Sequence, residues 1–340
     1  MKNLYNYITE QNASNSFRLV AVGDALCHKN LHEYVEKNGY SEIFKDYKLN
    51  ADDLNFYNQE SVISGKFKSF YKREQMTTQV HFGADESFAK AFLDKGFNMV
   101  SLANNHVLDI DEKGVQNSID FWKSTNTIYA GQYAEEDRFK ERIYEKNGIK
   151  FAFFAYTDKK NTKDNNPKYP YFRNDFDYEL AKRDIMSIRD KVDLVIVSIH
   201  WGLEHSFTPN QDQRDIAKFL SDLGVDIVLG HHSHCVQCVD KIGKTLVAYS
   251  LGNFVASQET NRISTQIGLE LTIDIKKTNN GITYIPYGRL TYLHRNEDRT
   301  EFKLMHLDKA DNYLSNKDIL LKQYWEAANK YNILRKKFNF

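Results

Sequence analysis

The chain has 340 residues, 41% hydrophobic and 14% aromatic, enough to bury one large core. Lysine plus arginine and aspartate plus glutamate stand equal at 46 each, so the basic footprint of a nucleic-acid binder is absent and no nucleic-acid partner is expected. The opening MKNLYNYITEQNASNSF holds no secretory apolar run, and no later stretch approaches the ~20 apolar residues of a membrane span. With an odd set of three cysteines (Cys27, Cys235, Cys238), this reads as a soluble cytoplasmic protein without a disulfide framework.

In chain order, residues 1–16 read as an N-terminal extension. The apolar run 17–22 predicts a buried strand that delivers Gly23 and Asp24, with His28 four residues on; a glycine there would let the backbone pass close to a bound ion. A strand-like run from Asp53 ends in Glu60. Phe88, Phe92 and Leu93 have helical spacing. Residues 97–103 predict a strand followed at once by Asn104, Asn105 and His106, with Asp109 three further, and Ile119, Phe121 and Trp122 mark the next helix. The run 150–155 is another strand. Segment 158–171 is polar and holds two of the four prolines, so it reads as a surface excursion, a lid or an insertion. The β-branched run 192–199 ends in His200, Trp201 and Gly202. A helix follows through Ile216, Ala217, Phe219, Leu220 and Leu223, and the strand 225–229 leads into Gly230, His231, His232, Ser233 and His234. Residues 245–251 form a further strand. After Asp274 the polar and apolar residues alternate around Asn279-Asn280-Gly281, a hairpin signal, and 316–338 reads as a charged helix. The main domain spans 17–305, and 306–340 is a helical extension. Strands alternating with helices make the fold class α/β.

The acids, histidines and asparagines fall at strand C-terminal ends, where ligands bind in open α/β sheets. In an extended stretch residues two apart share a face, so His232 and His234 can look into one site, with His231 turned away or reaching substrate. Carboxylate, amide and imidazole donors suit manganese, iron or zinc, and six or seven of them exceed the needs of one ion. Two ions sharing a carboxylate would use them all. Cys235 and Cys238 form only one C-x-x-C pair, too few for a four-cysteine zinc site, and read as small buried thiols. No Arg or Lys lies inside these strand-end clusters to mark a phosphate pocket, so selectivity falls to 158–171 or to His205.

On VGDALCH, FYNQES, SLANNHVLD, SIHWGLEHSFTPNQDQRDIAKFL, GHHSHCVQ and YSLGNFV, spread from about Arg18 to Val255, the chain resembles the CapA or poly-γ-glutamate capsule protein family, a branch of the calcineurin-like metallophosphatases. The resemblance implies a four-layer α/β/β/α sandwich with a dinuclear centre. Carried over by position, Asp24 and His28 would hold the first ion and His234 would complete it. Glu60 would bridge, and Asn105, His200 and His232 would hold the second. His106 would be the proton donor, oriented by Asp109; Asn104, His205, His231 and Asn253 are candidates for binding substrate. The chain lacks the Asp-x-His of the wider superfamily, having Asp24 and His28 four apart instead. The implied activity is phosphoester hydrolysis by a metal-bound hydroxide on a phosphorylated small molecule, glycan or polymer. The alternatives are a capsule or polyglutamate biosynthesis or export factor acting on an amide-linked polymer, and a binding module stabilised by its metals.

Overall fold

The computed structural model describes residues 15–68, 70–74, 77–138, 140–161, 171–258 and 262–337. Strands β1 (Ser16–Ala25), β2 (Leu54–Gln59), β3 (Met99–Ser101) and β4 (Ile128–Ala130) open a first sheet, and the chain then builds a second. The second holds β5 (Ile143–Lys146), β6 (Ile149–Thr157), β7 (Leu194–His200), β8 (Ile227–His231), β9 (Val239–Ile242) and β10 (Thr245–Ala248). The chain returns to the first sheet with β11 (Asn253–Val255), β12 (Ile267–Thr278), β13 (Gly281–Arg295) and β14 (Phe302–His306). The orders are β14-β13-β12-β1-β2-β3-β4, with β11 beside β1, and β9-β10-β8-β7-β6-β5.

Both faces of the central strands are covered, which is why they read as continuous apolar runs. Leu194 and Ile196 of β7 enter the core between the sheets, whereas Val195, Val197 and Ile199 point the other way, as the two-residue period of a strand requires. Leu19, Ala21, Phe56 and Met99 meet Phe151, Phe153 and Leu229 in that central core. On the outer face of the first sheet, Val22, Tyr57 and Val100 pack under helices α1 (Lys29–Asn38), α2 (Glu86–Lys95) and α3 (Glu112–Lys123) through Leu31, Phe88, Phe92 and Trp122. On the outer face of the second, Val195, Val197 and Val228 pack under α4 (Tyr178–Met186) and α5 (Gln211–Asp222) through Ile185, Ile216 and Leu220. The result is the expected α/β/β/α sandwich.

Three local departures matter. The strand expected over 97–103 is only Met99–Ser101, although the Leu102 N–H still reaches the Ala130 carbonyl at 2.8 Å. The C-terminal helix α6 is Lys317–Ala328 rather than 316–338, and Leu320, Leu321, Tyr324 and Trp325 sit in the central core, with Arg335–Lys336 pairing beside β13. Gly23 serves chain crossing rather than an ion: a Cβ there would stand 1.8 Å from the Gly252 carbonyl oxygen. The excursion expected at 158–171 is described only through Asn161 and again from Tyr171; residues 162–170, like residues 1–14 of the expected N-terminal extension, lie outside the described residues. Among the described residues no helix is long and apolar enough to cross a membrane.

Candidate metal centre

Strand parity aims most of the site. Leu54 and Phe56 face the central core, so Asn58 and Glu60 arrive on the same face at the end of β2. Leu194 and Ile196 do the same for His200 at the end of β7. Asp24 needs a further device, because the pairing register of β1 with β2 shifts between Ala21 and Asp24. Such a bulge inserts a residue and turns the following side chain, here Asp24, toward the site.

Glu60 occupies the centre. Its Oε1 lies 3.6 Å from His200 Nε2, 3.7 Å from His106 Nε2 and 3.9 Å from His234 Nε2, and both carboxylate oxygens are buried without a hydrogen-bond partner among the described residues. On one side, Asp24 Oδ2 is 3.3 Å from His234 Nδ1 and accepts the His232 N–H at 3.3 Å. On the other, His200 Nε2 is 2.7 Å from Asn105 Oδ1 and 3.0 Å from His232 Nδ1. Asp24, Glu60 and His234 thus form one close group of donors, and Glu60, His200 and His232 a second, all buried. The expectation of an extended histidine stretch is corrected: His232 and His234 have φ of 90° and 55°, and these left-handed turns, rather than strand alternation, bring both rings inward.

The electrostatics are those of a site that wants cations. Burial pushes the Glu60 carboxyl up to about 8. Burial also pushes Asp24 up, but its contacts with His231 and His234 outweigh that and hold it well below the usual carboxylate range. Burial lowers His200 well below its ordinary value and His232 to about 3, so both rings are neutral and free to donate a lone pair. His234 is opposed by burial yet raised to about 10 by Glu60 and Asp24. An unpartnered carboxylate inside protein is costly unless a positive charge sits against it. Donor atoms each about 2.1 Å from one ion lie roughly 3.0–3.4 Å apart, close to the spacings here. The residues present fit divalent metal.

His106 stands beside this set. Its Nδ1 is 2.5 Å from Asp109 Oδ2, which also accepts the Phe82 N–H at 2.9 Å, so the ring is held with Nε2 toward Glu60. Burial lowers the basicity of His106, but the Asp109 charge and hydrogen bond more than reverse this.

Several expectations are corrected. His28 joins neither group: its Nδ1 accepts the Ser257 N–H at 3.1 Å and its ring packs edge-on against Phe82. His231 follows strand parity into the space below Asp24, 3.1 Å from Oδ1, with no exposed surface for substrate. Asn104 spends its amide on the Gln59 carbonyl and the His106 N–H, which shapes the loop. Asn253 lies 2.9 Å from His234 Nδ1 and donates to the Thr265 carbonyl, so it orients a histidine instead of meeting substrate. His205 alone of those four is only half-buried, its ring 6.1 Å from that of His234. Cys27, Cys235 and Cys238 are buried thiols outside any disulfide.

Two residues escaped the sequence reading. Asn58 donates to Asp24 Oδ1 at 2.9 Å, and strand parity two residues before Glu60 would have revealed it. Asn161 accepts from Asn105 Nδ2 at 2.7 Å and lies just beyond the end of β6, where the strand-end rule applies. Lys159 of the same segment places a positive charge near His232, a cation that the strand-end clusters themselves lack.

Residues 18–258 match the model of the bacterial capsule synthesis protein PGA_cap. The capsule biosynthesis protein CapA of Bacillus anthracis is 29% identical over 252 residues, covering 72% of this chain and 61% of that protein. The PGA biosynthesis protein CapA of Bacillus subtilis strain 168 is 30% identical over 253 residues, covering 71% and 63%. The chain therefore spans less than two thirds of the length of either relative. A crystal structure of a Staphylococcus aureus protein provisionally identified as a 5'-nucleotidase, in complex with alpha-ketoglutarate, aligns with a TM-score of 0.46 at 9% identity, covering 92% of this chain and 58% of that one. With the family model matched over most of its length, the chain belongs to the bacterial capsule synthesis PGA_cap family.

Proposed function

We propose that this chain is a metal-dependent phosphoesterase. The observation that carries the reading is Glu60, a buried carboxylate with no hydrogen-bond partner among the described residues, shared by two groups of donors. Asp24 and His234 would hold one divalent ion, and Asn105, His200 and His232 a second, with Glu60 common to both. Manganese, iron or zinc bound there would activate a water and neutralise charge developing on a phosphoryl group.

The remaining chemistry belongs to the chain. Asp109 fixes the His106 ring and favours its protonated form, so Nε2 carries a proton toward the reacting centre and delivers it to the leaving oxygen. A site that only stored metal has no use for this pair. Asn58 and Asn253 hold Asp24 and His234 in place. Lys159 and the half-buried His205 stand at the rim, where a phosphorylated small molecule, glycan or polymer would enter.

Family membership favours a second reading, in which the chain acts on an amide-linked capsule polymer, since one relative is named for PGA biosynthesis. One experiment separates the two. Protein loaded with Mn²⁺ and desalted should carry close to two ions per chain by elemental analysis and hydrolyse members of a panel of phosphomono- and diesters. Turnover of poly-γ-glutamate alone would replace the phosphoesterase reading with the second, and one ion or fewer per chain would refute the shared-carboxylate centre.

A further inference from the structure

We infer that Asn161 is a positioning residue that decides which end of the Asn105 amide faces the ligand set; this rests on the two-ion reading above. The oxygen and nitrogen of an asparagine amide are nearly the same size, so packing alone does not choose between them. Hydrogen bonding does. Asn161 Oδ1 accepts from Asn105 Nδ2 at 2.7 Å, and this turns Asn105 Oδ1 inward, 2.7 Å from His200 Nε2. Rotated by half a turn, the same amide would present an NH₂ group, which has no lone pair to offer a cation.

The acceptor comes from the opposite sheet. Asn105 follows β3, whereas Asn161 follows β6, and the intervening segment is pinned to the site: the Asp158 N–H donates to the His200 carbonyl at 2.9 Å, and Thr157 Oγ1 accepts the Lys159 N–H at 3.1 Å. His200 and the residue that orients Asn105 therefore share one anchored backbone. Asn161 Nδ2 also lies 3.0 Å from His106 Nδ1, which Asp109 Oδ2 approaches more closely at 2.5 Å, so Asn161 touches His106 as well as Asn105.

The test uses Co²⁺ alone as the probe, followed by calorimetric titration and by its visible absorption, with Asn161→Leu, Asn161→Asp and wild type side by side. Leucine keeps the bulk and removes the acceptor; aspartate keeps an acceptor for Asn105 Nδ2. Asn161 is half-buried in a loop, and circular dichroism checks that each variant folds. Loss of such an orienting partner weakens metal binding by about 10–100-fold. Asn161→Leu should show that loss for one of two Co²⁺ ions, with a changed spectrum for that ion, and Asn161→Asp should recover most of the affinity. Wild type holding two ions with Asn161→Leu matching it, or Asn161→Asp as weak as Asn161→Leu, overturns this inference alone. Wild type holding one ion removes the two-ion reading and this inference with it.

Discussion

Replacing Glu60 with glutamine keeps the side-chain volume and removes the charge, and the consequence for stability can be worked out. In protein stripped of metal, burial holds the Glu60 carboxyl up at about 8 against an ordinary 4.5. A carboxyl raised on folding contributes fully below its unfolded value and progressively less as pH climbs toward the folded one. At pH 7 the folded state retains a proton that the unfolded chain has released, over about 2.5 pH units at about 1.36 kcal/mol each, or about 3 kcal/mol against folding. Glu60→Gln lacks this pH-dependent cost. Urea denaturation in EDTA at pH 5, 6 and 7 should therefore show the variant gaining on wild type by about 2–3 kcal/mol across that range. Saturating Mn²⁺ should invert the ranking, since a ligand at a thousand times its Kd stabilises by about 4 kcal/mol. The variant, short of the shared ligand, should gain far less. A gap that stays constant with pH, or equal stabilisation of both proteins by Mn²⁺, would refute the reasoning.

His106→Ala should keep its metal content and lose ~10²–10⁴-fold in turnover of alkyl phosphoesters, with a smaller defect on p-nitrophenyl esters whose leaving oxygen needs no proton; loss of an ion in elemental analysis would make His106 a ligand instead. Burial pushes the thiols of Cys27, Cys235 and Cys238 up, so a thiol-specific chromogenic disulfide should label none of them quickly in native protein and all three in denaturant. Fast native labelling of Cys235 or Cys238 would show that the histidine loop opens. Away from the site, burial opposes ionisation of Glu270, but His306, Lys337 and Tyr47 hold its carboxyl at about 2. That stabilisation is complete above about pH 4.5 and disappears as pH falls toward 2, so Glu270→Gln should cost about 3 kcal/mol at pH 7 and progressively less in acid, measured by urea denaturation. An acid-independent difference would place the cost in packing instead.

Burial is written locally, and so the layers were legible in the chain itself. Residues 192–199 are apolar on both faces because β7 is covered on both, and Ile216, Leu220 and Leu223 repeat at helical spacing because α5 buries one stripe. The rule that ligands gather at strand C-terminal ends likewise marked Asp24, Glu60, Asn105, His200, His232 and His234 as candidates, and the fold brings their side chains together in one buried cluster. Orientation was not legible, because it depends on partners distant in sequence. Asp24 turns inward through a bulge in its pairing with β2, and His232 and His234 do so through left-handed backbone that no alternation rule anticipates. His28 is drawn aside by the Ser257 N–H, 229 positions away, while Asn104 and Asn253 are consumed by backbone carbonyls and a histidine ring rather than left for substrate. Asn161, 56 positions from Asn105, belongs to the site only because two sheets face each other. A residue's chemical type and its place at a strand end are properties of the local chain; which way its donor atom points is settled by hydrogen bonds across the tertiary fold, since each buried polar group must find its partner there.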